Sequence, residues 1–216
     1  MEGLAIVEGY GEIDAVEALL ARLWADLGHE YFPWRAVRGK NLLQRVGVEK
    51  YAEVARRRPR CGALLLLRDA DDDCPKQTGP LTAGWLRALG LPFPAAVTLF
   101  RREYETMFLP CLPDMAGRTL RSAAGIELPG IRAGAEYVGD YEAPRDAKGI
   151  VGTFFTEKRS YKPTVHQLPL TRMLNFARLR ESELPSFGTL ERSLSFIAAN
   201  TGHGAAVYPP PSVAGP

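Results

Sequence analysis

Short continuous apolar runs alternate along this chain with longer stretches in which apolar residues recur every three or four positions. Leu4-Ala5-Ile6-Val7 and Ala63-Leu64-Leu65-Leu66-Leu67 are bounded by glycine or charge, as expected of strands buried on both faces of a parallel sheet. Between them Ile13, Val16, Leu19, Leu20, Leu23, Trp24 and Leu27 fall at helical spacing and predict a core-facing helix over 12–27. A strand over 31–37, a helix over 42–57, a helix over 82–89, a strand over 95–100 and the start of a helix over 104–109 complete the pattern. Strands alternating with helices predict an α/β fold, a mostly parallel central sheet flanked by helices.

From 117 to 148 the period fades among glycines and scattered charges, which reads as an insertion or mobile loop. Helical periodicity returns over 168–179 and again over 190–199, and Tyr208-Pro209-Pro210-Pro211 opens a proline-rich tail expected to be extended or disordered. The expected organisation is one α/β domain over 1–206, with an irregular insertion at about 117–160, a helical C-terminal part at about 165–200, and a tail over 207–216.

With 216 residues, 46% of them hydrophobic and 24% charged, the chain has enough apolar content for a substantial core and is not a disordered polymer. Three cysteines without CxxC spacing argue against a disulfide framework or a structural zinc site and fit a reducing cytoplasm. No charged leader with an apolar core precedes the first strand, and no apolar stretch is long enough to span a bilayer, so a soluble cytoplasmic protein without membrane association is expected. His29, His166 and His203 lack metal-ligand spacing, and the three tryptophans read as core.

The net charge of +2 changes little by itself, but its distribution matters. Acidic residues concentrate in Val7-Glu8-Gly9-Tyr10-Gly11-Glu12 and Arg68-Asp69-Ala70-Asp71-Asp72-Asp73, each directly after an apolar run, while basic residues cluster elsewhere. Functional groups of open parallel sheets gather beyond the carboxyl ends of the strands. Glu8, Glu12, Asp69, Asp71 and Asp73 are therefore expected to converge, and so much like charge calls for a cation. Hard oxygen donors without nitrogen or sulfur favour Mg²⁺ or Mn²⁺. If the strand continues through Asp69 and Asp71, the two side chains point the same way. Glu103 and Glu105 leave two readings open, further carboxylates for the site or acids favoured at a helix start.

Competing motifs fit less well. Asp69-x-Asp71-x-Asp73 mimics the opening of a calcium loop, but Cys74 and Pro80 stand where glycine and glutamate belong. Asp72 occupies the place where an aspartate-nucleophile phosphatase would carry a small hydroxyl or β-branched residue. Gly9-x-Gly11-x-x-Asp14 departs from the dinucleotide fingerprint at its third glycine.

A strand ending in Val7-Glu8-Gly9, a second glutamate at Glu12, and a later strand ending in Asp69-Ala70-Asp71 resemble the topoisomerase-primase (Toprim) catalytic fold. The Glu8 and Glu12 pair more closely resembles the overcoming-lysogenization-defect nucleases and small stand-alone Toprim-like proteins of a family of unknown function. Tyr161-Lys162-Pro163-Thr164, Gln167 and Ser186-Phe187 resemble the later part of that small family. The resemblance implies a four-stranded, largely parallel sheet and a divalent-metal site acting on phosphodiester bonds. It assigns Glu8 as the Toprim glutamate, Asp69 and Asp71 as the Asp-x-Asp pair and Glu12 as the second glutamate, with Lys162 or Lys158 as the late basic residue.

The function expected is a Mg²⁺- or Mn²⁺-dependent nuclease or related phosphodiester-cleaving enzyme, with Glu8, Glu12, Asp69, Asp71 and Asp73 around the metal and Glu8, Glu12 and Lys162 as catalytic groups. Its substrate would be DNA or RNA. The resemblance implies a role in defence against phage or mobile elements beside an ABC- or AAA-type ATPase. The alternative is a non-catalytic or conditionally active metal-binding subunit that docks to such an ATPase.

Overall fold

A computed structural model describes residues 1–156 and 161–211. Its elements are β1 (Glu2–Val7), α1 (Glu12–Asp26), β2 (Trp34–Arg38), α2 (Arg45–Arg56), β3 (Cys61–Asp69), α3 (Pro75–Ala88), β4 (Ala95–Phe100), a 3₁₀ turn (Tyr104–Phe108), α4 (Leu112–Met115), β5 (Leu120–Arg121), β6 (Glu127–Leu128), α5 (Ala147–Thr153), α6 (Pro163–Arg172), α7 (Phe176–Glu181), α8 (Pro185–Asn200) and β7 (Val207–Tyr208). Five of the strands form one sheet in the order β2-β1-β3-β4-β7, and every neighbouring pair is parallel. The expected α/β architecture is therefore present, with a five-stranded sheet in place of four.

The alternation of side chains along each strand divides the core in two. Ala63, Leu65 and Leu67 of β3 face a cluster with Val16, Leu19, Leu20 and Leu23 of α1, Leu170 of α6, and Leu190, Leu194 and Ile197 of α8. Leu64 and Leu66 face the other way, toward Val48, Ala52 and Ala55 of α2 and Ala83 and Leu86 of α3. Because helices cover both faces, β3 and β4 are apolar at nearly every position. A buried bond of 2.8 Å between Thr98 Oγ1 and Ser193 Oγ fixes α8 against β4.

At the end of the sheet where the strands begin, the Trp34 ring lies so close over Gly3 that an added Cβ would come within 2.4 Å of it. Trp24 stacks on Phe32 at 5.3 Å and meets Trp34 edge-on at 5.8 Å. Among the described residues no helix is long and apolar enough to cross a membrane, and the three cysteines are free thiols.

Several expectations are corrected. The weakly patterned stretch is built into the core: Leu120, Ile131, Ala135, Val151 and Phe155 are buried, β5 pairs with β6, and Ile131 bridges to Phe155. Its irregular backbone conceals this from a search for periodicity. The helix expected over 168–179 is two helices, because the Asn175 side chain caps α7 by accepting from Arg178 N at 3.2 Å. The helix expected to start at 104 does start there, as a short 3₁₀ helix over Tyr104–Phe108. Val207 and Tyr208, the first residues of the stretch expected to be a tail, pair with Ala95 and Ala96 and join the sheet.

Candidate functional site

The order β2-β1-β3 places a switch point between β1 and β3, because the chain leaves β1 toward one edge and returns to continue toward the other. Crevices at such points, beyond the strand ends, bind ligands in doubly wound sheets. Glu8 follows β1 and Asp69 ends β3, so both stand there.

The turn after β1 is tightly made. Glu12, the first residue of α1, folds back so that its Oε2 accepts from Glu8 N at 3.2 Å, and a Cβ on Gly9 would lie 2.8 Å from Glu12 Oε1. A Cβ on Gly11 would meet the Pro163 carbonyl carbon at 2.6 Å. Only glycine therefore allows the start of α6 to rest on this turn. Burial, and then the Asp69 charge, push Glu12 up to about 7. The same two causes raise Glu8.

Asp69 is held from two sides. Its Oδ1 accepts from Tyr104 N at 2.8 Å, and its Oδ2 lies 3.3 Å from Lys148 Nζ. Burial nevertheless raises its pKa. Lys148 also reaches Glu103 Oε1 at 3.1 Å and Glu105 Oε2 at 3.7 Å. Burial lowers the Lys148 pKa, but the carboxylates of Glu105, Asp69 and Glu103 outweigh it and the net shift is upward. The other Glu103 oxygen accepts from Lys148 N at 2.9 Å, which ties α5 to the end of β4. Glu105 is fully buried; its Oε1 accepts from Tyr161 Oη at 2.7 Å, and burial pushes it up to about 7. Both Glu103 and Glu105 thus face the ammonium.

Asp71 and Asp73 stand apart from Asp69. The strand ends at Asp69, and Asp71 turns into the left-handed region with φ of +48°, so the same-face argument from spacing does not apply. Asp71 is exposed, with its backbone bonded to Arg102, and it acts on Glu8 only through its charge. Asp73 pairs with the buried Arg68 guanidinium at 3.1 Å, and Arg68 also donates to Asp69 O at 2.8 Å. Asp72 pairs with Arg102 and Arg145. Lys162 is exposed at the start of α6, and its backbone N–H donates to His166 Nδ1 at 2.9 Å. Among the described residues its ammonium pairs with no carboxylate; the lysine among the acids is Lys148. Lys158 lies outside the described residues.

Comparison with protein-family models, curated proteins and solved structures finds no match.

Lys148 escapes the sequence reading, and the parts played by Arg68 and the Tyr161 hydroxyl escape it although both residues stand in the quoted motifs. For Lys148 a local signal exists: Asp146 caps α5 by accepting from Gly149 N at 2.8 Å, and Asp before Ala-Lys-Gly is a helix-start pattern. Arg68 is marked only as a cation inside an apolar strand.

Among the described residues no three acidic, histidine or cysteine side chains already converge as a metal-binding set. The donor chemistry still fits Mg²⁺ or Mn²⁺. Glu8, Glu12 and Asp69 are all hard oxygen donors raised by burial, the Asp69 charge raises Glu8 and Glu12 further, and Mg²⁺ keeps most of its waters and needs only one or two carboxylates.

Proposed function

We propose that this chain is a Toprim-like, divalent-metal-dependent nuclease that hydrolyses phosphodiester bonds in DNA or RNA. The observation that carries the reading is the gathering of Glu8, Glu12 and Asp69 at the β1/β3 switch point with Lys148 beside them. Glu8 and Asp69 would hold a Mg²⁺ or Mn²⁺ ion, which would supply charge neutralisation at the scissile phosphate.

The protein groups have distinct tasks in this reading. Glu12, pushed up to about 7, can exchange a proton near neutral pH and suits general base catalysis. Lys148, fixed by Glu103 and Asp69, would stabilise the developing negative charge in the part first expected of Lys162. Tyr104 N keeps one Asp69 oxygen in place. Action beside an ABC- or AAA-type ATPase in cytoplasmic defence rests on the family resemblance alone.

One observation favours the second reading, a conditionally active or non-catalytic subunit that docks to an ATPase. The Lys148 ammonium already stands among Asp69, Glu103 and Glu105, so part of the acidic charge is balanced without a metal.

The deciding experiment incubates the purified chain with labelled single- and double-stranded DNA and RNA, with Mg²⁺, Mn²⁺ or EDTA. Cleavage that requires the metal and vanishes in Glu8→Gln and Asp69→Asn is expected. Identical behaviour of wild type and both variants on every substrate would leave the docking reading.

A further inference from the structure

A cavity of about 710 Å³ opens between the start of α3, the end of β4, the start of α8 and β7. It lies at the same end of the sheet as the carboxylates, and the chain from 101 to 103 separates the two. Arg101 and Arg102 line the cavity, whereas Glu103 holds Lys148 on the other side.

The charge inside the cavity is unevenly satisfied. Asp72 and Asp73 are tied to Arg102, Arg145 and Arg68, and the buried Glu142 accepts from Ser186 N at 2.8 Å, which leaves the exposed Asp71 as the one lining acid without an ion pair or side-chain hydrogen bond among the described residues. Three cations stand against that single free acid. Among the described residues Arg101 and Lys76 form no ion pair, and Arg192 bonds only to the neutral Tyr208 Oη at 3.1 Å and Thr189 Oγ1 at 2.9 Å. The remaining lining is largely apolar and includes Val97, Leu99, Tyr208 and Pro209.

An anion with a flat apolar body matches these walls. The volume lies within the roughly 300–1,000 Å³ of small-molecule sites and far exceeds what a lone phosphate fills. We propose that this cavity holds one unpaired nucleotide of a single strand, its phosphate toward Arg101 and Arg192 and its base against Tyr208 and Leu99. The proposal rests on the nuclease reading and narrows it: the strand beside the cleaved bond is single or locally opened, because a base in a duplex stack cannot enter. Stacking on a tyrosine tolerates any base, so broad sequence tolerance follows.

The test is fluorescence anisotropy of a labelled single-stranded oligonucleotide of about twelve nucleotides in EDTA, where binding is read without cleavage. Wild type is expected to bind, and Arg101→Ala and Arg192→Ala should each weaken binding about tenfold. A nucleoside monophosphate should compete at least about tenfold better than inorganic phosphate, and blunt duplex should bind more weakly than single strand. Arg101 is exposed and forms no ion pair among the described residues, so Arg101→Ala decides the matter should Arg192→Ala lose its fold. Wild-type affinity in Arg101→Ala, or equal competition by phosphate and nucleotide, would overturn the pocket. The two readings fail separately. Loss of binding in Arg101→Ala with no cleavage by wild type retains the pocket and removes the nuclease, while cleavage with unchanged binding and KM in Arg101→Ala does the reverse.

Discussion

Lys148 Nζ lies 3.3 Å from Asp69 Oδ2, a contact between residues 79 positions apart that joins α5 to the end of β3. The same ammonium serves Glu103 and Glu105, so its removal leaves three carboxylates facing one another. Breaking a fully buried pair costs more, but this lysine is 37% exposed and solvent screens part of the repulsion. Lys148→Met is expected to destabilise the metal-free protein by about 1–3 kcal/mol in urea unfolding, and added Mg²⁺ should recover part of it. An unchanged midpoint would mean that the carboxylates do not depend on Lys148.

The placement of the aspartates separates the metal reading from a general acidic patch. Isothermal calorimetry with Mn²⁺ should show binding in wild type and at least a tenfold loss, about 1.4 kcal/mol, in Asp69→Asn. Asp71→Asn and Asp73→Asn should stay within about threefold of wild type, because one side chain is exposed and the other is bound to Arg68. Equal losses in all three would place the ion on the exposed loop.

Glu12 and Glu105, pushed by burial from 4.5 up to about 7, make the metal-free protein pH-sensitive. Below about pH 4.5 both groups are protonated whether the chain is folded or not, so the stabilising contribution is fully present. Between about 4.5 and 7 the unfolded chain releases protons that the folded chain retains, and stability falls as pH rises, by up to about 3 kcal/mol per group. The metal-free protein should therefore melt at a higher temperature at pH 5 than at pH 8. Glu12→Gln and Glu105→Gln should each flatten the slope, and a slope unaltered in either would show that those carboxylates titrate normally.

Two glycines test the packing around the turn after β1. Gly11→Ala drives a methyl into the Pro163 backbone and is expected to cost about 1–3 kcal/mol. Gly84, inside α3, has nothing within 4 Å of an added Cβ, so Gly84→Ala should stabilise by about 0.5–1 kcal/mol. Chemical denaturation of both variants checks the contrast. Equal effects would show that α6 does not rest on the turn as closely as the structure places it.

Much of the fold is legible because apolar side chains must be buried. β1, β3, β4 and α1 announce themselves by continuous or helically spaced apolar residues, and Glu8 and Asp69 are found because each lies within two residues of the end of such a run. Lys148 is hidden because its partners are distant in sequence and its surroundings lack a period. Asp71 misleads for a different reason. Spacing assigns a side chain to one face only while the strand persists, and one residue at positive φ ends that inference. The joining of Val207 and Tyr208 to β4 is equally illegible, since two residues carry no alternation and prolines follow them.

The tryptophans have an experimental consequence. Trp24 and Trp34 belong to the aromatic group over Gly3, and Trp85 lies late in α3, after that helix has run back from the end of the sheet that bears the carboxylates. All three indoles of the chain therefore stand away from that end. Intrinsic emission then monitors whether the polypeptide is folded and stays largely blind to occupancy beside Asp69. A change in indole fluorescence during a titration would signal rearrangement across the whole sheet, and binding itself is better followed by a dye placed on the ligand.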